Sequence, residues 1–488
     1  MDLAQLPSSR MDLRVPDPRR WKALILLCTA NFMVILDSQI VILGLPSITR
    51  DLGMSPGGAQ WVLSANLLTF GGLLLLGGRA ADLLGRRRMF MLGTALFLIV
   101  SLLSGLAWNA EVMIAARALH GVSAALMAPT ALSILTATFA EGAERNKALA
   151  GWAGIAGIGA TAGLLIGGAL TDGLGWEWIF FVNVPVALVM LVLSPALLQE
   201  SRDLKQRRTF DVAGAVTSTL ALILVVYAVV EAPASGWLSL RTLSLFAGAA
   251  ALFALFLVVE RRSTAPLVPP RIFHLRALVG GNLVMVTMGM LAFGLSVTIS
   301  QYAQLVLGYS PLEFGVKQAV MPFMAFVGAY AGQAVVTRLG YRPVAVVSVI
   351  LMGTGSLMLS QVSVGGDYIG EVFFGLLLFG TGLGAGSVAA LAAALAGVHE
   401  RDSGLASGFS NAALQIGGAF GVAVVSSVIA SSSIGPEPAT AMTEGFRAGF
   451  VACVVLAVIG LAVAVALLRP SGRRGRADNT TKHSVPFR

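Results

Sequence analysis

"GGRAADLLGRRR", residues 77–88, joins two apolar runs, 59–78 and 88–108. Gly78, Asp82 and Gly85 close the first run, and Arg86, Arg87 and Arg88 open the second. A short, strongly positive connection between two greasy segments is what a cytoplasmic loop of a membrane protein carries. That bias accounts for the arginines but not for the two glycines and the Asp together. Gly85 allows a tight turn. Asp82 can pair with the arginines or cap the incoming helix.

The rest of the chain repeats this theme. Of 488 residues, 56% are hydrophobic and 12% charged, and the mean hydropathy is +0.84. A soluble domain carries about twice that charge fraction. A spanning helix needs about 20 mostly apolar residues. Fourteen such runs can be read: 22–44, 59–78, 88–108, 111–138, 147–170, 177–198, 210–231, 239–260, 277–300, 312–335, 343–363, 369–396, 404–431 and 446–468. The expectation is an all-α polytopic membrane protein.

Charge bias tests the count. With the N-terminus in the cytoplasm, Arg50, Arg241, Lys317 and Arg447 fall outside and Arg117 within a span; the remainder of the 33 Lys and Arg lie in tails and cytoplasmic loops. A missed span would invert every later loop and spoil the asymmetry. Both termini are therefore expected in the cytoplasm, as a disordered tail (1–21) and a basic tail (469–488). The net charge of +9 follows from this topology and calls for no nucleic-acid partner. Cys28 and Cys453 both lie in apolar runs, and no disulfide framework is readable.

An internal repeat divides the chain. "GRAADLLGRR" (78–87) matches "QAVVTRLGYR" (333–342) at an offset of 255, and "RNKALAG" (145–151) matches "RDSGLAS" (401–407) at 256. The nearly common offset predicts two six-helix halves, 22–198 and 277–468, with an inserted helix pair at 210–260. Parallel repeats around a midplane site are a transporter architecture.

Two charges stand apart. "VILDSQIVILGLP" (34–46) places Asp37 inside an apolar run, and "AARALHGVSAALMAP" (115–129) places Arg117 about six residues, or ~9 Å, inside the outer end of its helix. Asp37 lies at about the same depth, and no other acidic residue falls near mid-membrane. An intramembrane charge normally faces a partner or a cavity. Snorkelling of Arg117 and a packing hydrogen bond from Asp37 are the alternatives. His120 can titrate near neutral pH or simply pack. Asn31, Gln39, Asn66, His120, Gln301, Tyr302, Asn411 and Gln415 are candidates to line a substrate cavity or to bond between helices.

Residues 77–88 resemble the loop 2–3 signature of the major facilitator superfamily, Gly-x-Leu-Ala-Asp-Arg-x-Gly-Arg-Arg, with Ala80 for the Leu and Leu83 for the first Arg. The resemblance implies a gate, formed by Gly78, Asp82, Gly85, Arg86 and Arg87, that latches the two halves on the cytoplasmic side. Arg117 and Gly121 resemble the span 4 motif Arg-x-x-Gln-Gly, with His120 in the Gln position. Gly163, Gly167 and Gly168 in "GWAGIAGIGATAGLLIGGAL" (151–170) resemble the antiporter signature Gly-Pro-x-x-Gly-Gly, with Leu164 for the Pro. "WEWIFFVNVP" (176–185) is similar to Trp-Arg-Trp-Ile-Phe-x-x-Asn-x-Pro, with Glu177 for the Arg. Leu36, Asp37, Ile40, Val41, Leu45 and Pro46 match the span 1 pattern Leu-Asp-x-x-Ile-Val-x-x-x-Leu-Pro. "SQYAQLVLGYSPLEFG" (300–315) and "GLASGFSNAALQIGGAFGVAV" (404–424) also resemble the fourteen-span drug:proton antiporter branch.

The abundance of Ala, Gly and Arg suggests a GC-rich bacterial genome, and the resemblance implies a major facilitator fold, a plasma-membrane location, and a monomer exchanging protons for a small lipophilic or antibiotic-like molecule. Asp37 would carry the proton and Arg117 would tune it. A carboxylate beside an Arg keeps its charge, and burial away from one favours the protonated form. The chain lacks a Gly-x-x-x-x-Gly-Lys-Ser/Thr loop, so direct ATP drive is not expected. No metal, cofactor or catalytic constellation is expected either. Proton-coupled nutrient uptake is the alternative, and a membrane sensor or enzyme a remote one.

Overall fold

The computed structural model describes residues 18–139, 143–201, 212–263, 275–398, 403–433 and 438–468. The expected tails up to residue 17 and from 469, and the first two residues of the 401–407 repeat copy, lie outside the described residues. The elements are α1 (Arg20–Asp51), α2 (Pro56–Leu84), α3 (Arg86–Gly105), α4 (Ala110–Thr138), α5 (Ala143–Gly173), α6 (Trp178–Phe181), α7 (Asn183–Leu197), α8 (Val212–Ser235) and α9 (Leu240–Arg262). Then follow α10 (Arg276–Leu305), α11 (Pro311–Gln318), α12 (Val320–Leu339), α13 (Tyr341–Leu359), a π-helical turn (Tyr368–Phe373), α14 (Phe374–Leu395), α15 (Ser403–Ser432) and α16 (Pro438–Leu467). Among the described residues, twelve helical stretches are long and apolar enough to cross a membrane, taking α6–α7, α11–α12 and the π turn with α14 as single rods. Helices α5 and α8 cover the two other apolar runs.

Two expected spans lose a rung of the helical hydrogen-bond ladder at a proline, while the backbone at Val182 (φ −59°, ψ −26°) and Ala319 (φ −58°, ψ −19°) stays helical. Pro185 has no N–H to return to the Phe181 carbonyl, and the ladder of the run expected at 177–198 is interrupted beside Val182. Pro322 likewise leaves the Gln318 carbonyl without its helical donor, and the ladder of the run expected at 312–335 is interrupted beside Ala319. Other helices outrun their apolar runs, α16 beginning at Pro438 and not at 446. Apolarity marks the part facing hydrocarbon, whereas backbone hydrogen bonding continues beyond it.

The repeat offset has structural counterparts. Gly85 and Gly340, 255 residues apart, both have positive φ (113° and 84°) and turn α2 into α3 and α12 into α13. Gly77 and Gly332 share that offset and both sit at close helix crossings. A Cβ on Gly77 would lie 2.0 Å from the Ala125 carbonyl oxygen of α4, and one on Gly332 would lie 2.7 Å from Ala385 Cα of α14. One large core gathers residues of α10 to α16, and two others centre on α1 to α7. Helix α8 lies against both sets: a Cβ on Gly57 of α2 would sit 3.5 Å from Val230, and Ser427 of α15 donates to the Val229 carbonyl at 3.3 Å.

The two sets meet unevenly. Near the end where α1 and α5 finish, here the far side, Ser300 and Gln304 of α10 donate to the carbonyls of Ile42 and Leu43, both at 3.1 Å. A Cβ on Gly168 would lie 2.6 Å from Leu312 Cα, and one on Gly315 would lie 2.5 Å from the Leu164 carbonyl oxygen. Residues 168, 164, 157 and 154 follow one stripe of α5. Along it toward the end where α1 begins, a Cβ on Gly157 would lie 3.7 Å from Phe326 and one on Gly154 would meet nothing within 4 Å. Along α5 the seam is tight at the far side and loosens toward the side where α1 begins, whereas α2 and α15 stay in contact further along: a Cβ on Gly408 would lie 3.1 Å from Leu75, which packs with Leu278 and Ala406.

Gly77→Val is expected to lower stability by about 1–3 kcal/mol, because backbone of α4 must shift to admit it. Gly154→Ala is expected to lose nothing. Thermal unfolding of the purified protein in detergent would separate the two.

Candidate functional site

Asp37 and Arg117 meet. Arg117 Nη1 donates to Asp37 Oδ2 at 2.7 Å, and the residues are 1% and 3% exposed respectively. This burial excludes the snorkelling alternative for Arg117. The helix positions make the contact possible: Asp37 lies near the middle of α1, Arg117 two turns into α4. Arg117 Nε donates to the Val62 carbonyl of α2 at 3.1 Å. Gly121, one turn further along α4, lets α4 approach α2 so closely that a Cβ there would lie 2.3 Å from the Asn66 carbonyl oxygen.

Three neighbours complete the cluster. His120 Nδ1 lies 2.8 Å from Arg117 Nη1 and 3.6 Å from Asp37 Oδ1. Its Nε2 lies 3.1 Å from Ser101 Oγ of α3. Asn183 Nδ2, at the junction of α6 and α7, donates to Asp37 Oδ1 at 3.4 Å. An acid, a guanidinium and a neutral polar shell are thus held away from water, an arrangement able to exchange one proton when a neighbour moves.

His120 belongs to this charge cluster and not to a cavity wall. Tyr302 also points elsewhere, its buried hydroxyl donating to the Ser363 carbonyl at 2.6 Å. Asn31 Nδ2 donates to the Trp152 carbonyl of α5 at 3.4 Å, a bond between helices. Asn66 is buried, and Gln415 packs its Cβ toward Gly71 in the seam of α2 with α15. Gln39 and Gln301 are half-buried and Asn411 is exposed. The span 5 glycines divide their work: Gly163 and Gly167 fit α5 against Leu36, Gln39 and Ile40 of α1, and Gly168 fits it against α11.

At the loop first quoted, Arg86 binds Asp82 through Nη2 at 2.8 Å and Nε at 3.1 Å. Asp82 pairs one turn ahead within the loop. The arginine row then turns to the chain after α7: the Arg87 amide donates to Glu200 Oε1 at 3.2 Å, Arg88 Nε lies 3.7 Å from Glu200 Oε2, and the Arg86 amide donates to the Ser201 carbonyl at 3.0 Å. Glu200 also lies where a Cβ on Gly85 would fall, 2.7 Å away. In this conformation Arg86, Arg87 and Arg88 tie the loop to the end of its own half.

Sequence reasoning overlooked Asn183, Ser101, Glu200, Ser300 and Gln304. Asn183, Ser300 and Gln304 sit inside stretches already singled out, and a polar residue in an apolar run was their signal. Ser101 and Glu200 carried none, since a serine inside a membrane helix commonly bonds its own backbone and Glu200 lies in an ordinary polar loop.

Arg117→Met is expected to destabilise the protein by about 3–5 kcal/mol, because it strands the buried Asp37 carboxylate. Adding Asp37→Leu should restore most of that loss. Thermal unfolding of the single and double variants checks the sign of the coupling.

A family model for the Major Facilitator Superfamily matches residues 27–331 and 278–488. The puromycin resistance protein pur8 of Streptomyces alboniger is 35% identical over 99% of this chain and 98% of its own length. The cephamycin export protein CmcT of Amycolatopsis lactamdurans is 36% identical over 91% of each. The solved structure of a peptide transporter POT in complex with sulfate shares the fold, with a TM-score of 0.67 at 17% identity, over 91% of this chain and 95% of that one. With twelve helical stretches long and apolar enough to cross a membrane among the described residues, the protein is a multi-pass protein of the plasma membrane, and the chain belongs to the Major Facilitator Superfamily.

Proposed function

We propose that this chain exports small lipophilic, antibiotic-like molecules by alternating access, driven by protons moving inward. The buried Asp37–Arg117 pair carries the reading. With Arg117 in contact, Asp37 keeps its charge; with the contact loosened, burial favours its protonated form. Protonation from outside and release inside would return the transporter for another export cycle. Relatives named for puromycin resistance and cephamycin export support the substrate class and the direction.

The topology proposed with this function has fourteen spans and both ends in the cytoplasm. Residues 22–198 and 277–468 form the rocking halves, and 210–260 the inserted pair. The positive-inside charge pattern supports it. The side toward which the α5 stripe loosens is then cytoplasmic, and the glycine-packed far side is the outer seal. Gly78, Asp82, Gly85, Arg86 and Arg87 would form the cytoplasmic gate, exchanging their present partners when the inner side closes. Half-buried Gln39 and Gln301 and exposed Asn411 are the cavity candidates best placed to meet substrate, in a protein working as a monomer. Few acidic groups near the cavity favour a neutral or monocationic substrate.

Asp37→Asn should abolish efflux that an uncoupler inhibits while the protein still reaches the membrane. Efflux of puromycin and of a lipophilic dye such as ethidium from loaded cells, with and without uncoupler, tests this. Undiminished uncoupler-sensitive efflux in the variant would remove Asp37 from the mechanism.

A further inference from the structure

His120 occupies the position where the motif it resembles has Gln, and its surroundings fix the direction of its lone pair. A guanidinium only donates. Arg117 Nη1, 2.8 Å from Nδ1, therefore requires an unprotonated Nδ1 and places the ring hydrogen on Nε2, toward Ser101 Oγ at 3.1 Å. The Phe97 ring stacks on the imidazole, with centroids 5.0 Å apart and planes at 28°, and Phe180 lies beside it at 6.3 Å. Ring packing and the Ser101 contact together oppose a flip. The Nδ1 lone pair thus stays aimed at the space between Arg117 and Asp37.

Around Asp37, Arg117 is a donor only, and Asn183 presents its amide nitrogen. His120 Nδ1, 3.6 Å from Oδ1, is the acceptor already facing the acid. The charged or titratable groups facing His120 are Asp37 from α1 and Arg117 from its own α4, while α3 contributes Ser101 and Phe97, and α6 contributes Phe180.

We propose that His120 is a positioning residue for the transported proton, which is held between Asp37 Oδ1 and His120 Nδ1 once Arg117 withdraws its hydrogen bond from Nδ1. The proton comes from outer water and leaves to inner water; no other bond changes. With Asp37 charged, Nδ1 accepts from Arg117. With Asp37 protonated, Nδ1 accepts from the acid, and Arg117 keeps the Val62 carbonyl. One lone pair thereby alternates between two donors, and the site carries a hydrogen bond in both states. The inference rests on Asp37 being the proton carrier.

Infrared difference titration of the purified protein in liposomes reads this without a known substrate. A protonated-carboxyl band should titrate in wild type and vanish in Asp37→Asn. In His120→Gln, which keeps an acceptor of weaker basicity, the band should remain and titrate about one pH unit lower. His120→Phe should lose about tenfold or more in uncoupler-sensitive ethidium efflux, and His120→Gln should recover most of it. A band unmoved in His120→Gln would overturn the role of His120 while leaving Asp37 as carrier. A band that survives Asp37→Asn would instead overturn the proposed function. A shift seen with Asn183→Leu but not with His120→Gln would assign the acceptor to Asn183 and overturn the inference.

Discussion

The buried contact between Asp37 and Arg117, 2.7 Å long, is the constraint around which the first half is arranged. Removing each ion from water costs several kcal/mol, and mutual attraction offsets this only when the remaining donors and acceptors are also satisfied. Each helix nearby answers part of that demand. Helix α2 offers the Val62 carbonyl, α4 adds the His120 ring, and α7 supplies Asn183. Helix α3 acts at one remove, through Ser101 and the Phe97 ring. A core of leucine and valine alone would fold with less demand on geometry. The charged centre instead requires these helices to keep one arrangement, or to exchange partners together.

Close approach of the helices makes that arrangement possible. Arg117 reaches the Val62 carbonyl because Gly121 lets α4 lie against the backbone of α2. Gly163 and Gly167 do the same for α5 along α1, on the turns flanking Asp37. Between membrane helices, small residues replace the hydrophobic drive that water would otherwise supply. The glycines are therefore part of the polar site, although they touch no charge themselves. Gly168, one residue beyond Gly167, faces the other half across the seam. The surface of α5 that steadies the charged helix thus adjoins the surface that seals the far side.

Much of this was legible in the chain. Apolar runs located the helices, and Asp37 and Arg117 stood out because charge is costly in hydrocarbon. Length and apolarity could not reveal the missing rungs beside Val182 and Ala319, since a run stays apolar whether or not its backbone ladder is continuous; Pro185 and Pro322 were the local signs. Partner choice was harder. Gln301 and Tyr302 drew attention as polar residues in an apolar helix, yet Ser300 and Gln304 make the bonds to α1. Neighbours on a helix differ by about 100° in direction, and composition does not say which direction faces the partner. The loop at 77–88 was recognisable by its charges, but Glu200, more than a hundred residues away, became visible only in three dimensions.

Proline links the charged site to the seal. Pro46 has no N–H to return to the Ile42 carbonyl, and that carbonyl accepts from Ser300 of the other half at 3.1 Å. Gln304 takes the next carbonyl, Leu43, and also donates to Ser300 Oγ at 3.0 Å. Ile42 lies five residues beyond Asp37, about 8 Å along the helix axis. A change in the axis of α1 near Asp37 is carried by the same rigid turns to these acceptors. The freed carbonyl is satisfied only while the halves are closed at the far side, and opening there must exchange a protein donor for water. The Asp and the Pro of "LDSQIVILGLP" are thus two parts of one mechanical element: the first ties the helix to Arg117, and the second exposes the acceptor through which the helix holds its partner.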